Sequence, residues 1–97
     1  MAVYVDNAKI AFGRMKICHM MADTPEELHG MAEKIGMIRN WFQDKRVPHY
    51  DVCMKRKALA IKSGAIEINR RQTVELMRKH GWLNGKTKSR LIARADV

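Results

Sequence analysis

The run Thr24-Pro25-Glu26-Glu27 constrains this chain more than any other feature, because its natural reading is the start of a helix. A threonine hydroxyl can cap free backbone N–H groups, proline fits the first helical position, and Glu27 falls at the third position of a capping box. Leu28, Met31, Ala32 and Ile35 follow at i, i+3, i+4 and i+7, and Gly36 can adopt the left-handed conformation that stops a helix. One apolar stripe needs a surface to cover. The flanking segments supply it: Ala2-Val3-Tyr4-Val5-Asp6 is β-branched and aromatic and ends in the turn formers Asp6-Asn7. After a loop containing Gly13-Arg14, Met15 to Ala22 predicts a second strand buried on both faces. Ile17, His19 and Met21 share one side of it, and Cys18 and Met20 the other.

Strand and helix patterns continue to alternate. Met37, Ile38, Trp41 and Phe42 predict a strand over Met37 to Gln43, and Asp44-Lys45-Arg46-Val47-Pro48 a polar turn. His49-Tyr50-Asp51-Val52 is a short extended piece entering a helix from about Met54 to Ser63, closed by Gly64. Ala65 to Ile68 alternates as a short strand, and Asn69 with Gln72 forms a capping box for a third helix. Val74, Met77 and Trp82 are expected to face inward there, with Gly81 as the stop. The expected fold is α/β: one small domain over residues 1–83, a mixed sheet of about four to five strands with three helices packed on it. Residues 84–97 form a basic tail with Leu91-Ile92 as its apolar anchor.

Length and composition agree with one core. A domain near 97 residues hides roughly 60–65% of its unfolded surface, and 46% hydrophobic residues are ample for that. No apolar run approaches the roughly 18 residues of a membrane span, and Asp6 and Lys9 interrupt any signal-peptide core, so the expected location is the cytoplasm. Cys18 and Cys53 belong to no CxxC pair, which argues against a disulfide scaffold or thiolate zinc site. Six aromatics and eight methionines make core packing their default role, although Trp41, Tyr50 and Trp82 could stack a base.

The net charge of +9 points to an anionic partner, with phosphate first, and most of it lies after residue 50. Lys55-Arg56-Lys57 opens the second helix, where cations oppose the helix dipole, so a phosphate held by the backbone N–H groups with Lys55 and Arg56 would resolve the conflict. Three solvated side chains are the plain alternative. Arg14, beside Gly13, could clamp phosphate as well. His49 and Asp51 stand two apart and point to one side of an extended segment, and Asp6 ends a strand where α/β ligands collect. His19 and His29 could complete a set of divalent-metal ligands with Asp6, His49 and Asp51. The alternative makes His19 a core histidine bonded to backbone, places His29 near Glu26 and Glu33, and makes Asp51 a helix cap. Gly85-Lys86-Thr87 is not a P-loop, because position 80 is His80 rather than glycine.

The fragments Val3-Tyr4-Val5-Asp6, Gly13-Arg14-Met15, Cys18-His19-Met20, Ala22-Asp23-Thr24, Glu27-Leu28-His29, Trp41-Phe42-Gln43, Pro48-His49-Tyr50-Asp51 and Gly64-Ala65 together resemble a family of small bacteriophage and bacterial proteins of unknown function. The resemblance covers about residues 2–75 and implies a phage or bacterial cytoplasmic protein, without supplying an activity. Its motifs contain Asp6, Arg14, His19, His29, His49 and Asp51, the polar set singled out above. The first functional expectation is a non-catalytic protein that binds a nucleotide or nucleic-acid phosphate through Arg14, Trp41, His49, Lys55 and Arg56. The second is a metal-dependent phosphodiesterase or nuclease using Asp6, His49 and Asp51, and the third a phage inhibitor of a host protein. A domain this small could also complete its core as a homodimer.

Overall fold

Strand β3, Met15–Ala22, organises the sheet, because three of the other four strands pair with it. The computed structural model describes residues 2–82, so the tail expected over 84–97 lies outside the described residues. β1 (Val3–Asp6) pairs antiparallel with the end of β3, Val5 opposite Met20, and β2 (Ile10–Phe12) with its beginning, Ile10 opposite Ile17. β4 (Tyr50–Cys53) runs antiparallel along Ile17 to Met20. A strand has two edges, and β4 overlaps both other registers. β1 and β2 therefore lie end to end on the edge opposite β4. β5 (Ile66–Ile68) pairs with β1 in parallel, which makes the five-stranded sheet mixed.

Two of the three helices among the described residues start on side-chain caps that the sequence supplies. In α1 (Pro25–Lys34) the Thr24 hydroxyl accepts from the Glu27 N–H at 3.2 Å and donates to Glu27 Oε1 at 2.9 Å. The Glu27 carboxylate thus takes the hydroxyl proton rather than the Thr24 backbone N–H of a reciprocal box. Gly36, at φ +84°, reverses the chain, and the Met37 N–H closes the turn on the Ala32 carbonyl at 2.8 Å. α2 (Met54–Lys62) ends at Gly64. α3 (Arg70–Lys79) has the full reciprocal box between Asn69 and Gln72, both bonds at 2.9 Å.

The pairing registers divide the sheet into two unlike faces. Val3, Val5, Cys18, Met20, Tyr50 and Val52 form one, and α1 and α2 seal it with Leu28, Met31, Ala32, Ile35 and Ala60. Burying each large side chain there contributes roughly 1.5–3 kcal/mol. Tyr4, Asp6, Ile17, His19, Met21, Asp51, Cys53 and Ile68 lie on the other. α3 covers only part of that face, through Leu76 against Met21 and Ile68. Leu76 and Thr73 are its buried residues, while Val74 and Met77, expected inward, are half-buried.

Two further expectations differ from the structure. Met37 to Gln43 is not a strand: Arg39–Trp41 makes a 3₁₀ turn, with N–H bonds from Trp41 to Ile38 and from Phe42 to Arg39. Its apolar residues recur three and four apart, which suits a helical turn rather than an alternating strand, and Ile38 and Trp41 are left half exposed. β2 was not expected at all. Its three residues are exposed, so no burial pattern marks it, and the outer half of β3 against it is exposed too rather than buried on both faces. Among the described residues, no helix is long and apolar enough to cross a membrane.

Asp23 ties the two ends of the described chain together. Its carboxylate accepts from the Ala2 N–H at 2.9 Å, the Tyr4 hydroxyl at 3.1 Å and His80 Nε2 at 3.0 Å. Burial pushes this carboxyl up, but the bonds from His80, Tyr4 and Ala2 outweigh it and hold it below the ordinary 3.8. A lowered folded value contributes stability above the unfolded value, which is lost as pH falls through the folded one. Asp23→Asn should therefore destabilise the fold by about 1–3 kcal/mol at pH 7, and chemical denaturation across pH should show the difference from wild type shrinking below about pH 4.

Candidate metal centre

The gap between β1 and β2 creates the site. Residues 6–9 oppose only Cys18 and His19, so the β1/β2 edge carries extra residues and the backbone ladder breaks there. The Asp6 side chain takes over the missing acceptor role: Oδ1 accepts from the His19 N–H at 3.0 Å and the Ala8 N–H at 3.3 Å. Its other oxygen, Oδ2, accepts from His19 Nδ1 at 2.7 Å. Burial raises the Asp6 carboxyl, but these His19 and Ala8 contacts more than reverse it, so its pKa is lowered. The bond to Asp6 raises His19 against the opposing effect of burial, with the charges of Asp6 and Asp51 adding to it.

The same contact decides which imidazole nitrogen is free. With Nδ1–H donated to Asp6, a neutral His19 carries its lone pair on Nε2. His49 is arranged alike, since its Nδ1–H donates to the Val47 carbonyl at 2.6 Å. Both Nε2 atoms face one oxygen: Asp51 Oδ1 lies 3.4 Å from His49 Nε2 and 4.0 Å from His19 Nε2. Asp51 Oδ2 is occupied by the Gln43 amide, which donates at 2.6 Å. Each of the three side chains therefore offers one atom inward and has its other polar atom held from behind. His19, His49 and Asp51 place these atoms within 4.8 Å of one another.

Two histidines and one carboxylate are a recognised donor set for divalent zinc, manganese or iron. Atoms bound to one ion at about 2.0–2.2 Å stand roughly 3.0–3.5 Å apart. The His49–Asp51 separation already meets this, and a small inward movement of His19 completes it. An acceptor behind each imidazole and a donor behind the carboxylate are the outer contacts that orient metal ligands.

The cluster borders a cavity of about 370 Å³ lined by Asp6, His19, His49, Thr73, Lys45 and Arg46, among others. Lys45 and Arg46 come from the loop that the Gln43–His49 bridge closes, with N–H bonds of 2.9 and 3.1 Å in the two directions. They bring positive charge to an opening whose floor offers metal ligands. A family model, described as Protein of unknown function (DUF4031), matches residues 3–80. The chain belongs to this DUF4031 family. No curated protein and no solved structure matches it.

In this DUF4031 domain the polar residues singled out in the sequence separate into groups. His19, His49 and Asp51 converge, and Asp6 stands behind His19. His29 lies on the opposite face, sharing a 2.7 Å hydrogen bond with the Tyr50 hydroxyl and packing edge-on against Phe42. Arg14 is exposed at the β2–β3 turn, roughly 16 Å along the strand from His19. At the start of α2 only Lys55 is exposed. Arg56 donates to the Ile35 carbonyl at 2.7 Å, and Lys57 is buried and paired with Glu67 at 2.7 Å. Cys53, not Asp51, occupies the N-cap position of that helix, without a side-chain capping bond. Cys18 is a buried thiol, which burial first and the Asp6 charge next push up to about 12. Gln43, Lys45, Arg46 and Thr73 were not foreseen as site residues; the signal available was two adjacent cations just before His49.

If the three atoms hold an ion, His49→Ala and Asp51→Ala should abolish stoichiometric Zn²⁺ or Mn²⁺ binding. Asp6→Asn and Gln43→Ala, which remove only the rear contacts, should weaken it about 10–100-fold. Isothermal titration of each folded variant checks this, and unchanged affinity in all four would remove the site.

Proposed function

We propose that this protein is a divalent-metal-dependent phosphoesterase, acting on a phosphodiester or a nucleic-acid phosphate. The observation that carries the reading is the pair of oppositely suited halves in one opening. His19, His49 and Asp51 are poised as metal ligands, and Lys45 and Arg46 line the adjoining cavity. Three protein ligands leave coordination positions for a water and for a phosphoryl oxygen.

A metal at this position would lower the pKa of a bound water and draw charge from phosphorus. Hydrolysis would join the oxygen of that water to phosphorus and break the bond to the leaving oxygen, the proton shed by the water passing to solvent and the leaving alkoxide taking one up from it. Lys45 and Arg46 hold the non-bridging oxygens and offset the charge that builds on them. Asp6 keeps His19 in the tautomer that presents Nε2, so it acts as a positioning residue. Gln43 does the same for Asp51.

The sequence-based alternative of phosphate binding without turnover, through Arg14, Trp41, His49, Lys55 and Arg56, shares only His49 with this reading and draws two of its five residues from α2. There Arg56 is already committed to Ile35, which weakens that part of the alternative. The assay is hydrolysis of bis-p-nitrophenyl phosphate and of a single-stranded oligonucleotide by protein loaded with Mn²⁺ or Zn²⁺. EDTA should abolish turnover, and Lys45→Ala with Arg46→Ala should raise KM about tenfold with metal content unchanged. Stoichiometric metal with no turnover of either substrate would leave only a binding role.

A further inference from the structure

We propose that the apolar cavity on the far side of Asp51 is a base-stacking subsite, so that the ligand is a nucleotide unit, free or within a single strand. The inference rests on the phosphoesterase reading above and deepens it by naming what the phosphate carries. Asp51 lines this second cavity, of about 420 Å³, whereas His19 and His49 line the first. Since the three atoms lie within 4.8 Å of one another, an ion held by them would border both cavities. A phosphate on that ion has Lys45 and Arg46 to one side and the second cavity to the other. Its substituent is directed there.

The chemistry of that cavity suits a flat apolar group. Phe12 and Trp41 present aromatic rings that are 63% and 48% exposed, and Met15, also half exposed, lies with them. Solvent exposure at three such residues on one cavity is costly for a lone domain, and a stacked base removes it. Arg56 has its guanidinium 6.0 Å from the Trp41 ring centre, and its Nη1 is anchored on the Ile35 carbonyl, so one cationic contact steadies that ring. The remaining polar groups have other work: Asp51 is held by Gln43 and faces the imidazoles. With few donors and acceptors left to read a base edge, recognition proceeds by stacking and tolerates different bases.

Four probes separate the possibilities on the full chain loaded with Mn²⁺ at a pH where turnover is negligible: AMP, the dinucleotide pApA, ribose 5-phosphate and octyl phosphate. Calorimetric titration should give at least tenfold tighter binding for AMP or pApA than for ribose 5-phosphate and octyl phosphate. Whichever base-bearing probe binds tighter tells a free nucleotide from a strand. Trp41→Ala, at an exposed ring, should bring AMP down to the ribose 5-phosphate level without altering metal content, and Phe12→Ala should lower it in the same direction. Equal binding of AMP and ribose 5-phosphate overturns the subsite while leaving the phosphoesterase reading in place. Octyl phosphate binding as tightly as AMP overturns the base and makes the cavity a site for aliphatic chains. Failure of all four probes to bind metal-loaded protein removes the subsite together with the phosphate reading beneath it.

Discussion

The Asp6 carboxylate is the contact on which the rest of the site depends. It stands where β1 stops pairing with β3, and it supplies by side chain the acceptor that the backbone no longer offers to the His19 N–H. A buried N–H without a partner would cost about 1–3 kcal/mol, so the residue at this break must carry an acceptor. The second oxygen then fixes the His19 ring. One side chain thus repairs the sheet and selects the nitrogen that faces Asp51, and a structural necessity becomes a chemical preference.

The other two side chains of the candidate site follow from the same sheet. β4 lies against β3 in a register that sets Asp51 opposite His19, and His49 precedes it by two residues, at the closing bridge of the Gln43–His49 loop. Pairing and loop closure thereby bring together residues that are 30 or more positions apart in the chain. On the reverse face, Tyr50 and its neighbours bury against α1 and α2, which prevents β4 from slipping: a one-residue shift would send Tyr50 outward and Asp51 into the core. The apolar face pins the polar one.

Much of this was legible in the sequence, and what was not has a physical explanation. Capping chemistry is local, so Thr24, Asn69 and the terminal glycines located the helices closely, while β-branched and aromatic content located β1, a run apolar on both faces β3, and alternation β5. Residues 37–43 misled because Met37, Ile38, Trp41 and Phe42, three and four apart, make a single 3₁₀ turn rather than the expected strand, and a segment this short has too few residues to tell the two periods apart. β2 escaped notice because it buries nothing. At the site, residue chemistry identified His19, His49, Asp51 and Asp6 as one polar set, but only the strand registers sort them. Asp6 becomes a rear contact, and His29, similar in type, falls on the opposite face through its tie to Tyr50. Lys45 and Arg46 were read as a polar turn because the bridge that brings their loop to the cavity joins Gln43 to His49 and leaves no mark at the cations themselves.

Of the four histidines, His19 and His49 are the two placed to present Nε2 to one ion. Long-range proton–nitrogen correlation spectra of the imidazoles, recorded while Zn²⁺ is added, address it directly. Nδ1–H tautomers are expected for His19 and His49, with metal-induced shifts at their two Nε2 nitrogens at a one-to-one stoichiometry and no such shift at His29 or His80. Shifts at His29 or His80 instead, or none at any ring up to several equivalents of zinc, would contradict it.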